Sequence, residues 1–346
     1  MTETAKPILG ITMGDPAGVG PEIAVMALAQ KEVYQICRPV VIGDANVIER
    51  AAGIAAPDLM VRRISAMASA KFDFKTLDVI DLRNVDVARF QVGEISAMAG
   101  NAAFEYVRRA IDLAQTQQID AIVTNPIHKE ALNLAGHHFA GHTEILAHYT
   151  HSKKVALLLA HGNLRVIHVS THVPLREACD LVKKDRILQV IRILDDACRR
   201  FGLTSPQIGV AGLNPHASDG GLFGHEEADE ILPAVQAARA DGLDVEGPMP
   251  PDTLFAKAQG GFYDGVVAMY HDQGHVAFKL QTFTFDENRR VEGIRGVNIT
   301  LGLPIIRTSV VHGTAFDIAW QGIANPATLI EAIEYAARMA AHKKGA

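Results

Sequence analysis

The chain has 346 residues, 48% of them hydrophobic and 21% charged, which is long enough for about two globular domains with substantial cores. A net charge of -6 argues against a broad basic surface for nucleic acid or an acidic membrane. Three widely spaced cysteines do not form a disulfide framework, and no apolar run approaches the ~18 residues of a membrane span. The first residues also lack the plan of a signal peptide, so we expect a cytoplasmic protein that binds neither nucleic acid nor membrane.

Apolar runs and turn residues alternate along the first part of the chain, and they predict strands over 8–13, 38–43 and 120–124 and helices over 23–31 and 96–115. The first strand runs into a glycine turn, an order that presents backbone N–H groups to an anion. The turn lacks the G-x-G-x-x-G spacing, and Asp15 would repel a phosphate, so a plain βα turn is the alternative. The strand that ends at Thr124 leads into Asn125 and Pro126, which indicate either a site wall or a simple turn.

The second part of the chain continues the alternation, and it predicts a helix that begins within 141–144, helices over 180–201 and 229–240, and strands over 154–161, 164–170, 207–213 and 265–270. Gly162 and Asn163 between two of these strands indicate an antiparallel hairpin. Thr143 as a helix cap and Glu144 as a first-turn acid are the structural alternative for the segment 141–144. The whole pattern predicts an α/β protein with a largely parallel sheet and an antiparallel patch.

Three predicted strands end in the same way, and His172, His216 and His271 follow them. A single strand-end histidine is usually a hydrogen-bonded structural residue, but three repeats of one plan favour a shared site. Ligands collect at the carboxyl ends of strands in open α/β sheets, and three imidazoles leave open positions on a divalent cation. Asp252 and Asp272 are candidates to fix a histidine tautomer.

Four other histidines lack this placement and are expected to be structural or at the surface: His148, His151, His161 and His168. The segment 296–309 is rich in β-branched residues and contains Asn298 and Arg307. Arginine suits bidentate recognition of a carboxylate or phosphate. For the following segment, 312–326, the structural alternative to a functional role is a loop that leads into the C-terminal helix.

Five motifs, in order along nearly the whole chain, resemble the 4-hydroxythreonine-4-phosphate dehydrogenase (PdxA) family: residues 13–22, 141–144, 214–217, 270–274 and 296–304. The segment 312–319 also resembles the adenosine-side cofactor loop of the wider isocitrate and isopropylmalate dehydrogenase group. The resemblance implies that group's α/β fold of two domains with a cleft between them, assembled as a homodimer with shared active sites. The implied split is 1–130 plus 265–346 on the cofactor side and 131–264 on the dimer and substrate side.

The resemblance implies NAD- or NADP-dependent oxidation and decarboxylation of a small phosphorylated hydroxy acid. One divalent metal ion per site (Zn, Mg, Mn or Co) would be held by His172, His216 and His271, with His271 reaching across the dimer interface. The implied catalytic residues are Lys279, Asp272 and Asp252. The implied substrate-binding residues are His142, Thr143, Lys279, Asn298 and Arg307. The implied cofactor-binding residues are Gly14, Asp15, Gly18, Gly20, His312, Gly313, Thr314, Ala315 and Asp317.

Residues 137–146 and 317–322 resemble the branch that acts on 4-phospho-D-threonate or 4-phospho-D-erythronate. The pyridoxal phosphate biosynthesis branch is the alternative, and the phosphate-side motifs argue against a third branch that oxidises aromatic cis-dihydrodiols. Val311 stands where an acid is expected. The link 282–295 is longer than the family pattern, and it is expected to form a lid at the site or a solvated surface hairpin. A metal-dependent lyase or aldolase without nicotinamide and a non-catalytic sugar-phosphate sensor are the alternatives from other classes.

Overall fold

A computed structural model describes residues 6–343 except 286, 288 and 290. Its strands follow the aliphatic and β-branched runs of the sequence. They are β1 (Ile8–Thr12), β2 (Arg38–Gly43), β3 (Met60–Ile64), β4 (Thr76–Asp81), β5 (Ala121–Thr124), β6 (Ala156–His161), β7 (Leu164–His168), β8 (Gln207–Ala211), β9 (Asp244–Met249), β10 (Gly265–Ala268), β11 (Phe283–Phe285), β12 (Val291–Ile294), β13 (Val297–Leu301) and β14 (Ile306–Ser309).

The helices lie between these strands, as the alternating pattern predicts. They are α1 (Gly20–Leu28), α2 (Lys31–Ile36), α3 (Ala45–Ala55), α4 (Ala97–Gln115), α5 (Lys129–Leu134), α6 (His142–Tyr149), α7 (Leu175–Asp180), α8 (Lys184–Arg200), α9 (Leu232–Ala240), α10 (Pro251–Gln259), α11 (His271–Thr282) and α12 (Ala327–Lys343). Side-chain caps begin several of them: the Asp44 carboxylate accepts from the amides of Asn46 and Val47, and Ser96 caps α4. Among the described residues, no helix has both the length and the apolar composition to cross a membrane.

The chain divides into two compact units: it leaves unit 1 after Val155, forms unit 2 from Ala156 to Gly302, and returns to unit 1 at Leu303. The predicted split assigned residues 1–130 and 265–346 to the cofactor side and residues 131–264 to the dimer and substrate side. That assignment stays a prediction. In unit 1, parallel strands lie in the order β3-β4-β2-β1-β5-β14. Their central members are fully buried aliphatic runs, typical of a parallel sheet covered on both faces.

Unit 2 contains a mixed sheet in the order β13-β6-β7-β10-β8-β9. The predicted hairpin is confirmed: β6 and β7 pair antiparallel, with His161 opposite Leu164. Strand β13 also pairs antiparallel with β6, while β7, β10, β8 and β9 are parallel. The α/β class with an antiparallel patch is therefore confirmed.

Several predicted boundaries were wrong. The helix predicted over 180–201 is α8, which begins at Lys184 and ends at Arg200, and the short helix α7 before it was not predicted. The predicted strand 265–270 ends at Ala268, and a helix that was not predicted, α11, begins at His271. The long link after α11 contains the antiparallel pair β11 and β12, so it forms a hairpin. Asp286 and Arg290, two charged residues of that link, lie outside the described residues.

Candidate active site

The three strands that precede the predicted metal ligands are parallel neighbours in unit 2. Strand β10 pairs with β7 on one side and with β8 on the other, so all three carboxyl ends lie at one edge of the sheet. His172, His216 and His271 follow β7, β8 and β10 in turn. The edge therefore collects three imidazole-bearing segments where open α/β sheets bind ligands.

His271 is the first residue of α11, and its ring is held by its neighbour in the chain. Its Nδ1 lies 2.7 Å from Oδ1 of Asp272, so the carboxylate accepts from an Nδ1–H and leaves Nε2 available to a cation. The ring centroids of His271 and His172 are 5.6 Å apart. Both residues line a cavity of about 390 Å³ together with Thr171, Leu175 and Asp272.

His216 lies on a separate turn with a costly backbone. Residues His216 to Asp219 have φ between 45° and 70°, in the left-handed region. That conformation costs roughly 1–2 kcal/mol for each non-glycine residue, so the surroundings must impose it. Within the described residues of one chain, no three His, Cys, Asp or Glu side chains are arranged to hold a metal ion.

A buried carboxylate that sequence reasoning missed anchors the turn of His216. Glu227 Oε1 accepts from the amides of Leu213 (2.8 Å) and Asn214 (2.7 Å), and Oε2 accepts from Nδ2 of Asn214 (2.9 Å). Gln273 joins the same region to α11, since its amide donates to Gly212 and accepts from Met269. An acid eleven residues from a histidine carries no local signal in the sequence.

The other predicted residues of unit 2 occupy different surroundings. Lys279 lies on α11 and is exposed, with Nζ 4.8 Å from the centroid of the Phe283 ring. Asn298 is half-buried on β13. Asp252 is exposed at the start of α10, where its carboxylate accepts from the amide of Thr253. The tautomer-fixing contact that was predicted for two aspartates is therefore seen for Asp272.

Two further histidines of unit 2 lie against His271, and sequence reasoning did not place them there. The ring of His275 stacks on that of His271, with centroids 3.6 Å apart. His168 is buried on β7, and its Nε2 lies 3.2 Å from Nδ1 of His275. Burial is the main cause that lowers the pKa of His168 to about 3 and that of His275 to about 4.

Unit 1 holds a buried cation among the predicted substrate residues. Arg307 on β14 is 3% exposed, and its guanidinium donates to Oγ1 of Thr124 from Nη2 (2.7 Å) and Nε (3.2 Å). Burial lowers the pKa of Arg307 to about 9, and the Glu144 carboxylate opposes that shift. A buried guanidinium suits recognition of an anionic group of a ligand.

His142 and Thr143 open helix α6, directly after Gly141. Burial and then the Arg307 charge lower the pKa of His142 well below its usual value, while a hydrogen bond with the Asn125 backbone opposes them. Among the residues that the structure describes, the buried Nε2 atom of His142 has no hydrogen-bond partner. The Arg307 guanidinium presents donors that phosphate oxygens accept from, and Nε2 of His142 would add another when that imidazole is protonated.

The glycine turn after β1 is closed against the strand end of β5. Gly14 has φ 79°, and a Cβ there would lie 2.6 Å from the Pro126 oxygen. Asp15 donates its amide to that same oxygen, and its Oδ1 accepts from the amide of Ala17. Its buried Oδ2 has no hydrogen-bond partner in the described part of the chain, and burial raises the pKa of Asp15 to about 6.

The structure brings together the two segments predicted to bind the cofactor. Val19 donates its amide to the Thr314 oxygen at 2.9 Å, and a Cβ on Gly18 would lie 2.7 Å from that oxygen. His312 lies with Nε2 3.1 Å from Oγ1 of Thr328, and burial lowers its pKa. The remaining predicted members are Gly20 at the start of α1, exposed Gly313 and Asp317, and Ala315 with φ 45°.

A second missed residue holds the loop that follows His312. Glu22 is fully buried on α1, and its carboxylate accepts from the amides of Trp320 and Gly322. The indole of Trp320 donates to the Pro16 oxygen at 3.0 Å. Buried hydrogen bonds thus join this loop to the glycine turn. The sequence alone did not indicate this connection.

The family described as pyridoxal phosphate biosynthetic protein PdxA matches residues 35–336 of this chain. The chain belongs to the PdxA family. Among its PdxA relatives, D-threonate 4-phosphate dehydrogenase of Cupriavidus necator is 48% identical over 97% of this chain and 98% of its own length. The 4-hydroxythreonine-4-phosphate dehydrogenase of Desulforapulum autotrophicum is 46% identical over 97% of this chain and 96% of its own.

Solved structures of PdxA-family proteins resemble this chain at a similar sequence identity. A 4-hydroxythreonine-4-phosphate dehydrogenase from Burkholderia phymatum superposes with a TM-score of 0.84 at 45% identity, over 97% of this chain and 99% of the other. The predicted family resemblance is therefore confirmed over essentially the whole length. Relatives named for either substrate are similarly identical in sequence to this chain. The substrate must therefore be inferred from the chemistry of the site.

Proposed function

We propose that this protein is a metal-dependent, NAD- or NADP-linked dehydrogenase that oxidises and decarboxylates a 4-phosphorylated 3-hydroxy acid. The proposed substrate is 4-phospho-D-threonate or 4-phospho-D-erythronate. The observation that carries the proposal is the edge of β7, β10 and β8 in unit 2, where an imidazole follows every strand. The name of the Cupriavidus necator relative supports the substrate. The three cysteines are free thiols, which supports a reducing, cytoplasmic setting.

The donor set fits a divalent cation in its chemistry. Asp272 accepts from Nδ1 of His271, which leaves Nε2 of that ring available to a cation. The proposed centre combines His172 and His216 of one copy with His271 of the other, as the family resemblance implies. A cation held there would favour loss of the proton from the substrate hydroxyl.

Arg307, His142 and Thr143 bind the phosphate in this proposal. Arg307 and His142 are both buried, and the Arg307 charge contributes to the lowered pKa of His142, so the two side chains lie close enough to act together in this proposal. A phosphate dianion would restore the favourable surroundings that burial removes from the guanidinium. Asn298 and Lys279 complete the proposed substrate contacts.

The reaction requires the substrate hydroxyl to lose its proton while the carbon that bears this hydroxyl transfers a hydride to the nicotinamide ring. The product is a ketone β to a carboxylate, whose C–C bond breaks to release CO₂ and leaves its electron pair on the α carbon. Lys279 is the proposed group that returns a proton to that carbon. The segments around Gly18 and Thr314 are the proposed cofactor contacts, in a two-domain fold like that of isocitrate and isopropylmalate dehydrogenases.

A homodimer is part of the proposal. Helix α11 carries His271 at its first position and two exposed apolar side chains further on, Val276 (56% exposed) and Leu280 (80% exposed). Exposed apolar residues on a helix that also carries a proposed metal ligand are what a shared site requires. The helix would then link dimer formation to assembly of the site.

Substitution of the buried cation tests the substrate assignment. Arg307→Lys removes the bidentate fork, so we expect KM for the phosphorylated acid to rise about 10–100-fold, with a smaller change in KM for the nicotinamide. The matched control is Arg338→Lys on the exposed face of α12, which should leave both constants unchanged. Equal KM values for Arg307→Lys and the native protein, measured by steady-state NADH formation, would remove Arg307 from the phosphate site.

The second candidate function is 4-hydroxythreonine-4-phosphate dehydrogenase, favoured by the name of the Desulforapulum autotrophicum relative. That substrate carries an ammonium group where the phosphorylated sugar acids carry a hydroxyl. The ratio of kcat/KM for the two substrate types decides between them.

A further inference from the structure

Helix α11 places three functional side chains at four-residue intervals: His271, His275 and Lys279. Residues with this spacing lie on one face of a helix. The rings of His271 and His275 are stacked at an interplanar angle of 11° with centroids 3.6 Å apart. His275 therefore covers one whole face of the His271 imidazole.

The hydrogen bonds around His275 determine where its proton lies. Its Nδ1 is 3.1 Å from the His271 carbonyl oxygen and 3.2 Å from Nε2 of His168. A carbonyl only accepts, so Nδ1 of His275 must carry a proton. Nε2 of His168 is then an acceptor, and its Nδ1 donates to the Leu157 oxygen at 3.4 Å.

The contact between β7 and α11 depends on a glycine. A Cβ on Gly274 would collide with Nε2 of His168 and would lie 2.7 Å from Cγ1 of Val166. The bare Cα of Gly274 thus admits the buried His168 ring to the first turn of α11. The chain from the Leu157 oxygen through His168 to His275 is therefore built into the packing of unit 2.

We propose that His275 is a positioning residue for His271. Its ring stack fixes the plane of the His271 imidazole, and its hydrogen bond to His168 holds the stack in place. Asp272 fixes the remaining rotation through Nδ1, so Nε2 of His271 points in one direction before any cation arrives. This role rests on the proposed function, because it assumes that His271 is a metal ligand.

Nitrogen NMR of the metal-free, uniformly labelled protein tests the geometry without substitution. The proposal requires His168 and His275 each to be protonated at Nδ1 and unprotonated at Nε2. Protonation of His275 at Nε2 instead would overturn it. This measurement does not depend on the reaction that the protein catalyses.

Cobalt binding to the full-length protein tests the role, by titration and by the visible absorption of the bound ion. His275→Leu removes the stack and the hydrogen bond, and we expect affinity for cobalt to fall about 10–100-fold with a changed spectrum. His275→Phe keeps an aromatic face and should lose less affinity. The matched control is His342→Phe, an exposed histidine near the end of α12.

Native affinity and spectrum in folded His275→Leu and His275→Phe variants would overturn the positioning role alone. If the native protein bound no cobalt, the proposed function would fall and the positioning role with it. The two failures are therefore distinguishable.

Discussion

Asp15 shows how one residue departs from a simple anion-binding turn. Its carboxylate is fully buried, and within the described residues only its Oδ1 has a hydrogen-bond partner, the amide of Ala17. Burial raises its pKa from 3.8 to about 6, and the Ala17 amide and the His128 charge oppose the shift. A buried acid with an oxygen to spare suits a donor group of a ligand rather than a phosphate.

The pKa of Asp15 predicts a pH-dependent free energy of unfolding. Folding favours the protonated acid, so this contribution is present below about pH 4 and is lost as pH rises through 6. The difference in unfolding free energy between Asp15→Asn and the native protein should change by up to about 3 kcal/mol over that range, with the native protein losing stability. Urea unfolding from pH 4 to 7 measures it.

Asp58→Asn, at an exposed position after α3, is the control, and its difference from the native protein should stay constant. A constant difference for Asp15→Asn as well would show that the carboxyl of Asp15 titrates normally.

Among the elements, the turn 216–219 combines an unfavourable backbone conformation with hydrogen bonds that hold it in place. Four consecutive non-glycine residues are left-handed, and Ser218 is buried with its hydroxyl donating to the Gly224 oxygen. Glu227 holds the two residues before Pro215 through three hydrogen bonds. The position of His216 is therefore set by an acid on the following helical segment.

Glu227→Gln should release this turn. The amide nitrogen of Gln cannot accept a hydrogen bond, so the Gln side chain cannot accept from all three donors. We therefore expect the local stability of the turn to fall by about 1–3 kcal/mol. The amides of Leu213 and Asn214 should exchange with solvent about 10–100-fold faster, as measured by hydrogen exchange. Glu226→Gln is the matched control, because Glu226 accepts from Asn214 Nδ2 at 2.7 Å and from the backbone of residues 225 and 226, while the two monitored amides donate to Glu227. Equal protection in both variants would contradict the anchoring role of Glu227.

The elements also show what the sequence could and could not predict. Strands β7, β8 and β10 were predictable because apolar runs end in polar turns, but their order as neighbours depends on tertiary pairing. Strand β3 was missed because Arg62 and Arg63 interrupt its apolar pattern, and those arginines pair with Asp78 and Glu49 instead. The partners of His271 at 168 and 275 are set by packing between β7 and α11.

At the scale of the whole molecule, the account depends on a second copy of the chain. Leu280→Asp places a charge on the exposed apolar face of α11, where a dimer interface would desolvate it. We expect sedimentation to show a monomer and kcat to fall at least about tenfold, since the proposed site is shared. Met60→Asp, at an exposed position on β3 in unit 1, should stay dimeric and active. A monomer with full activity would contradict the shared site.

The reaction with phosphorylated acids is the direct test of the proposed dehydrogenase activity. The measurement is NAD reduction and CO₂ release with 4-phospho-D-threonate, 4-phospho-D-erythronate and 4-phosphooxy-L-threonine, with and without a chelator. The account predicts equal amounts of NADH and CO₂ from a phosphorylated sugar acid, a higher kcat/KM than for the amino acid, and loss of turnover after metal removal. Turnover unaffected by complete metal removal, or saturable acid binding without NADH formation, would contradict it.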